Sequence, residues 1–267
     1  MKNGQGCQAS YIRYEERSGV AFISLNRPDK KNAINAEMDL QLRAAFNRAT
    51  GSASVKVIVL KGEGSTFCSG ADRKANVPDQ KLGWEIIPSS PEAFRFSYFL
   101  ESEKIIIAGI SGHAIGVGAV LACLCDLRIA AENARFAFPY PRMGLIAEYG
   151  IVKLLSDIVG KARASELLLR GCPVNSEQAF RLGLVNEVVS SERFDAYLES
   201  YAQDLAQNCS AYSLRTIKAQ LAAMDGQSFL SCVQLAGHAL ETARQTWEYQ
   251  EAKRAFQEKR PVDFNQS

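Results

Sequence analysis

The segment 105–150, IIIAGISGHAIGVGAVLACLCDLRIAAENARFAFPYPRMGLIAEYG, restricts what this chain can fold into more than any other. Its first six residues are an apolar run without alternation, the pattern of a strand covered on both faces. Such a strand needs a layer of structure above and below its sheet, which points to a layered α/β core rather than a bundle. Gly112, Gly116 and Gly118 come next, followed by an apolar, helix-like stretch from Ala119 to Cys125. A strand, a glycine turn and a helix leave unpaired backbone N–H groups at the helix start, where developing negative charge can be held. The glycines let a ligand approach the main chain closely. In physical terms this is an anion or oxyanion site, and by itself it names no reaction.

The same alternation of strand and helix extends on both sides. Residues 11–16 and 20–25 are β-rich and separated by Ser18-Gly19, which predicts a hairpin. Asn35 is placed to cap a helix carrying Met38, Leu42, Ala45 and Phe46 at helical spacing. Residues 55–60 form a second buried strand, and residues 61–74 a second glycine-bearing loop at its C-terminal end. Residues 75–91, with Pro78, Pro88 and Pro91, have no period and read as a mobile lid. Helices are expected from Glu92 to about Ser102 and from Glu148 to about Val159, with short strands at 127–131 and 135–138. From about Ser191 the apolar residues mark successive helices with no strand between them. The expected division is therefore a core, residues 1–190, and a helical region for self-association, residues 191–267.

Composition excludes several functions. With 31 Lys+Arg against 29 Asp+Glu, the net charge of +2 leaves no electrostatic footprint for a nucleic-acid or membrane partner. No apolar run approaches the roughly 18 residues of a membrane helix. The first residues, MKNGQGCQASYIRYEE, have no signal core, so a cytoplasmic location is expected. The seven cysteines include no C-x-x-C pair and read as reduced core thiols, with no metal site. His113 and His238 are the only histidines, and neither accompanies a nucleophile elbow. His113 is expected to be a packing residue.

Two glycine turns, each behind a buried strand, can aim N–H groups at one point, one near Ala71 and the other near Val117. Read with its markers, the chain resembles the crotonase superfamily, the enoyl-CoA hydratase/isomerase family. The markers are Asn26-Arg27-Pro28 with Asn32-Ala33, then Phe67-Cys68-Ser69-Gly70-Ala71-Asp72, and Ser111-Gly112-His113-Ala114 with Gly116-Val117-Gly118. Cys125-Asp126, the run AFRLGLVNEV and Ala255-Phe256-Gln257-Glu258-Lys259-Arg260 continue the series to the end of the chain. The resemblance implies a spiral of ββα units with a helical C-terminal trimerisation region, a homotrimer or homohexamer, and acyl-CoA substrates. Coenzyme A would then enter as part of the substrate, with no separate cofactor. It implies an oxyanion hole from the amides of Ala71 and Val117, flanked by Gly116 and Gly118. Residues Ala71, Asp72, Arg73 and Lys74 would hold the acyl-CoA, and Arg27, Lys30 and Lys259 are candidates for its phosphates. Each of those three cations could equally be solvated surface charge. Asp72 is expected to fix its loop.

The chain departs from the family's two-glutamate hydratases at both acid positions, which here are Val120 and Tyr140. A valine cannot transfer a proton, and a tyrosine of ordinary pKa is a poor base near neutrality. Tyr140 and Tyr149 are expected to line the acyl pocket. Glu148, in Ala147-Glu148-Tyr149-Gly150, matches the acid that enoyl-CoA and dienoyl-CoA isomerases use to shuttle a proton. Burial in an apolar pocket would raise its pKa toward the useful range. An acid in a helix's first turn also interacts well with the helix dipole, a purely structural role. The expected activity is an enoyl-CoA isomerase or single-acid hydratase working through Glu148. The alternatives are decarboxylation or thioester hydrolysis on the same fold, or a non-catalytic acyl-CoA-binding or RNA-binding relative. The helix after Asn35 carries only Arg43 and Arg48, too few for a basic RNA-binding stripe.

Overall fold

The computed structural model describes residues 10–72 and 88–264. The expected lid at 75–91 and the candidates Arg73 and Lys74 therefore lie largely outside the described residues.

The chain opens with β1 (Ile12–Arg17) and β2 (Val20–Leu25), an antiparallel hairpin. Its turn puts Ser18 (φ 52°) and Gly19 (φ 78°) both in the left-handed region, matching the strand twist. Helix α1 (Ala36–Gly51) follows; the Asn35 side chain accepts from the Met38 amide, and Met38, Leu42 and Phe46 are buried. After β3 (Val57–Gly62) the expected helix from Glu92 is broken into a 3-10 turn, Pro91–Ala93, and a five-residue α2 (Ser97–Glu101). The reason is tertiary: Phe96, Ser97, Tyr98 and Phe99 are all buried in succession. A regular amphipathic helix, turning 100° per residue, cannot bury four consecutive positions on one face. The Phe46 ring, 4.4 Å from Phe99 and 5.1 Å from Tyr98, anchors this segment to α1.

Next come β4 (Ile105–Ile110), β5 (His113–Ile115), α3 (Val117–Leu124), β6 (Leu127–Ala131) and β7 (Arg135–Ala137). His113 is exposed, and its backbone rather than its ring does the pairing, so the packing role expected for it is corrected. Helix α4 (Ile151–Val159) begins three residues later than expected, because Tyr149 (φ 57°) and Gly150 (φ 70°) are both left-handed and cannot join a right-handed helix. Then follow α5 (Lys161–Arg170), β8 (Val174–Asn175), α6 (Ser176–Leu182) with an Asn175/Gln178 capping box, and β9 (Glu187–Val189). The chain ends in α7 (Phe194–Asn208), α8 (Ala211–Ala223), α9 (Phe229–Ala243) and α10 (Trp247–Glu258).

The main sheet runs β1-β2-β3-β4-β6-β9, parallel except for the β1–β2 hairpin, and β5-β7-β8 form a smaller sheet beside it. Strand alternation divides the core in two. Ala21, Ile23, Ile58, Leu60, Ile106, Ala108 and Ile110 join the large cluster under α1, α3 and α4. Val20, Phe22, Val57, Val59, Ile105 and Ile107 face the other way, where Phe194, Leu198, Ala202 and Ala206 of α7 cover them. A Cβ on Gly109 would come within 2.3 Å of Leu198 Cδ2, so the bare glycine admits α7 to the sheet. Helix α7 is thus part of the layered core. By contrast, α8 and α9 bury no residue in the single chain, and Ile217, Leu221, Met224, Phe229, Leu230 and Val233 are exposed. The C-terminal end returns to the sheet, where Lys56 Nζ donates to the Phe264 carbonyl.

Candidate active site

The two glycine loops meet beyond the C-terminal ends of β3 and β4, the end of an open parallel sheet where ligands bind. Cys68 pairs with Ala114 of β5 in parallel: its amide donates to the His113 carbonyl, and its carbonyl accepts from Ile115. On the other side Ala71 bridges to Ile34, with Ile34 N donating to Gly70 O and Asp72 N to Ile34 O. Gly70 (φ 105°) lies against the second loop; a Cβ there would be 3.0 Å from the Ile115 oxygen and 4.0 Å from the Val117 nitrogen. Gly118 is tighter still, since its Cβ would sit 2.3 Å from the Cys68 carbonyl oxygen. Gly116 (φ 54°) caps α3 and donates its amide to Ala137 O. These contacts pack the two loops against each other. Among the described residues neither the Ala71 nor the Val117 amide donates to a protein acceptor. Two unpaired N–H groups on rigid backbone, one of them at a helix start, can stabilise an oxyanion.

The loop carrying Ala71 is held from below. Asn32 is fully buried; its Oδ1 accepts from Arg27 N, and its Nδ2 donates to the carbonyls of Glu63 and Thr66. Arg27 occupies neither place expected for it, phosphate partner or solvated surface. It is 9% exposed, donating to Ala33 O and to Asp72 Oδ2 at 3.0 Å. Asp72 is thereby tied to its loop. Lys30 is exposed in a 3-10 turn beside the site. Lys259 is exposed at the end of α10, five residues before Phe264, which docks at the opposite end of β3. The chain by itself therefore does not bring Lys259 to Ala71 and Val117.

Val120 is fully buried in α3. Tyr140 is 95% buried, and among the described residues its hydroxyl has no hydrogen-bond partner. Burial and then the Glu148 charge raise its pKa well above the ordinary phenol value, so it remains a donor. Glu148 is half-buried on irregular backbone between the 3-10 turn Pro141–Met143 and α4, rather than within the first turn of a helix. The alternative weighed for it, a helix-dipole role in the first turn, therefore loses its premise. The Ile151 amide donates to the Glu148 carbonyl, which leaves its carboxylate to solvent or ligand.

Three residues behind Glu148 were not anticipated as a group. Arg95 and Asp39 form a buried ion pair, Nε to Oδ2 at 3.0 Å, and Arg95 Nη1 donates to the Tyr149 hydroxyl at 2.9 Å. Burial raises the Asp39 pKa against the opposing pull of Arg95. Burial would lower that of Arg95, but Asp39 and then Tyr149 hold it raised. One sequence signal was available: Asp39 lies in the apolar stripe of α1, in register with Leu42, Phe46 and Ala49. Tyr149's left-handed backbone costs about 1–2 kcal/mol. The neighbours that offset this strain are the Arg95 bond and the Phe96 ring, centred 5.3 Å away.

Burial pushes the thiols of Cys68 and Cys123 up to about 12, leaving them as small apolar residues. Among the described residues no His/Cys/Asp/Glu group is arranged to hold a metal ion, and no helix is long and apolar enough to cross a membrane.

Residues 15–267 match the model of a family described as enoyl-CoA hydratase/isomerase. The fold is similar to a crystal structure of an enoyl-CoA hydratase from Bacillus anthracis. That match has a TM-score of 0.87 at 25% identity and covers 96% of this chain and 99% of the other. It is also similar to an enoyl-CoA hydratase from Mycobacterium tuberculosis, with a TM-score of 0.84 at 27% identity, covering 94% and 97%.

Proposed function

Because the chain belongs to the enoyl-CoA hydratase/isomerase family, we propose that it shifts a carbon–carbon double bond in an acyl-CoA thioester, with Glu148 alone moving the proton. The reading is supported by a pair of backbone amides, Ala71 and Val117, that meet no protein acceptor among the described residues, and by a Glu148 charge that acts on the buried Tyr140. In a 3-enoyl thioester the Glu148 carboxylate removes a proton from C2. The electron pair passes into the thioester, and the negative charge of the resulting dienolate settles on the oxygen held by the two amides. Glu148 then returns the proton at C4, leaving the double bond between C2 and C3. Coenzyme A is part of the substrate; Lys30, Arg73 and Lys74 are the nearest cations in sequence to its entry, and Lys259 would have to come from another subunit. The exposed apolar residues of α8 and α9 support a homotrimer or homohexamer.

A second reading, hydration by Glu148 alone, is favoured by one observation: Glu148 is only half-buried, so water can reach it. Ultraviolet absorbance of the conjugated enoyl thioester separates the two. A rise from 3-enoyl-CoA that falls by about 10²–10⁴ in rate in Glu148→Gln supports the isomerase. A Glu148-dependent fall from trans-2-enoyl-CoA supports the hydratase. Full activity in Glu148→Gln overturns both.

A further inference from the structure

We infer that Arg95, held by Asp39, is a positioning residue that fixes the direction in which Glu148 leaves the main chain. The inference rests on the reading of Glu148 as the acid–base group.

No protein side chain among the described residues is hydrogen-bonded to the Glu148 carboxylate, so its placement falls to the backbone of residues 147–150. That backbone is irregular up to Glu148 and then makes two consecutive left-handed residues, Tyr149 and Gly150. A glycine adopts this conformation freely, whereas a tyrosine holds it only when its surroundings over-determine it. What surrounds Tyr149 is specific. Its hydroxyl accepts from Arg95 Nη1, the guanidinium lies 5.5 Å from its ring centroid, and Phe96 packs against it edge-on. Arg95 is fixed in turn from α1: Asp39 Oδ2 accepts from its Nε, and Arg43 Nη2 donates to its carbonyl at 2.7 Å. The path runs from a rigid helix capped by Asn35, through a buried guanidinium, to the residue after Glu148. A buried ion pair of this kind is weak evidence of stability, and its better-attested use is to fix one arrangement among several. A lysine could not replace Arg95, because one ammonium cannot offer the forked donors that meet Asp39 and Tyr149 together.

The variants that test this are Tyr149→Phe, which keeps the ring and removes the acceptor, and Arg95→Lys. The first readout is the ¹³C signal of the Glu148 carboxyl, assigned by its loss in Glu148→Gln, followed through a pH titration. Positioning predicts that both variants shift the midpoint or broaden the line of Glu148 while other assigned glutamates stay put. With 3-enoyl-CoA, kcat should fall roughly tenfold to a hundredfold at nearly constant KM, as expected when a reacting group is misaimed. In a Glu148→Gln background the Tyr149→Phe change should cost nothing further. An unmoved Glu148 signal with unchanged kcat in Tyr149→Phe overturns the inference, even if Arg95→Lys fails to fold. If Glu148→Gln retains full activity, the proposed reaction falls, and the titration still decides whether Arg95 positions Glu148.

Discussion

The loops carrying Ala71 and Val117 and the segment carrying Glu148 are built by opposite means. Ala71 and Val117 are held by backbone pairing, Cys68 with Ala114 and Ala71 with Ile34, and by glycines where a Cβ has no room. The residue after Glu148 is held by side chains, with Tyr149 strained in place beside Arg95 and Arg95 paired with Asp39. The difference fits the chemistry each side would perform in the proposed reaction. An oxyanion needs only dipoles, which any residue's main chain supplies once the topology aims it. A proton shuttle needs one particular side chain, whose aim then depends on its neighbours. The two loops, the amide cradle of that reaction, should therefore respond to added atoms and tolerate altered side chains, and the Glu148 side should do the reverse.

The largest effect is expected where a charge is stranded. Arg95→Met leaves Asp39 buried without its partner, which costs about 3–5 kcal/mol of stability by denaturant unfolding. Asp39 already has a raised pKa, and losing Arg95 raises it further, so the native state takes up a proton more readily than the unfolded one. Stability from that proton is present at low pH and lost as pH rises through the folded pKa. The variant's deficit, measured near neutrality, should accordingly shrink as pH falls toward about 4. A deficit that does not change with pH would mean that Asp39 is not the group left uncompensated.

Next is Gly118→Ala. The new methyl would meet the Cys68 carbonyl oxygen at 2.3 Å, and the two loops must separate to admit it. Overpacking of this kind costs about 1–3 kcal/mol. Losing the aim of one oxyanion donor lowers kcat by about 10²–10³. Val117→Ala trims the side chain and leaves the amide in place; its kcat should stay within about threefold of the parent, well inside what loss of a donor costs. A hundredfold loss in Val117→Ala would show that the cradle depends on its side chain after all.

This contrast also separates what the sequence made legible from what it did not. The two loops could be read, because a buried strand followed by glycines leaves a pattern in one dimension, and the glycine loops after β3 and β4 do pack against each other. The Glu148 side was half legible. Glu148 could be singled out as a candidate, but the helix after it begins three residues late, because nothing in the sequence marks Tyr149 as left-handed. Arg95 falls where a regular helix was expected, and the consecutive burial of Phe96, Ser97, Tyr98 and Phe99 broke that helix. Arg27 read equally as a phosphate partner or a solvated cation, and its buried pairing with Asp72 is set by the fold rather than by any local pattern. Strands as short as β5, β8 and β9 carry no period, and tertiary pairing alone defines them.

The smallest effect is expected at Tyr140. Among the described residues its buried hydroxyl has no partner, and an unmet buried polar group of this kind is costly to the fold. Tyr140→Phe removes the oxygen and keeps the ring, so stability should be unchanged or rise by about 1 kcal/mol. The pH dependence gives the sign. Burial and the Glu148 charge raise the folded pKa above the unfolded value near 10, so in alkali the unfolded chain sheds a proton that the native state retains. The parent's stability is fully present below about pH 10 and declines above it; Tyr140→Phe should lack that component of the decline. If activity falls in Tyr140→Phe while stability holds, the unpartnered hydroxyl is a donor kept for the ligand, and the Glu148 side has a second side chain in its chemistry. If neither changes, Tyr140 is pocket wall, and the contrast between a main-chain cradle and a single acid stands as drawn.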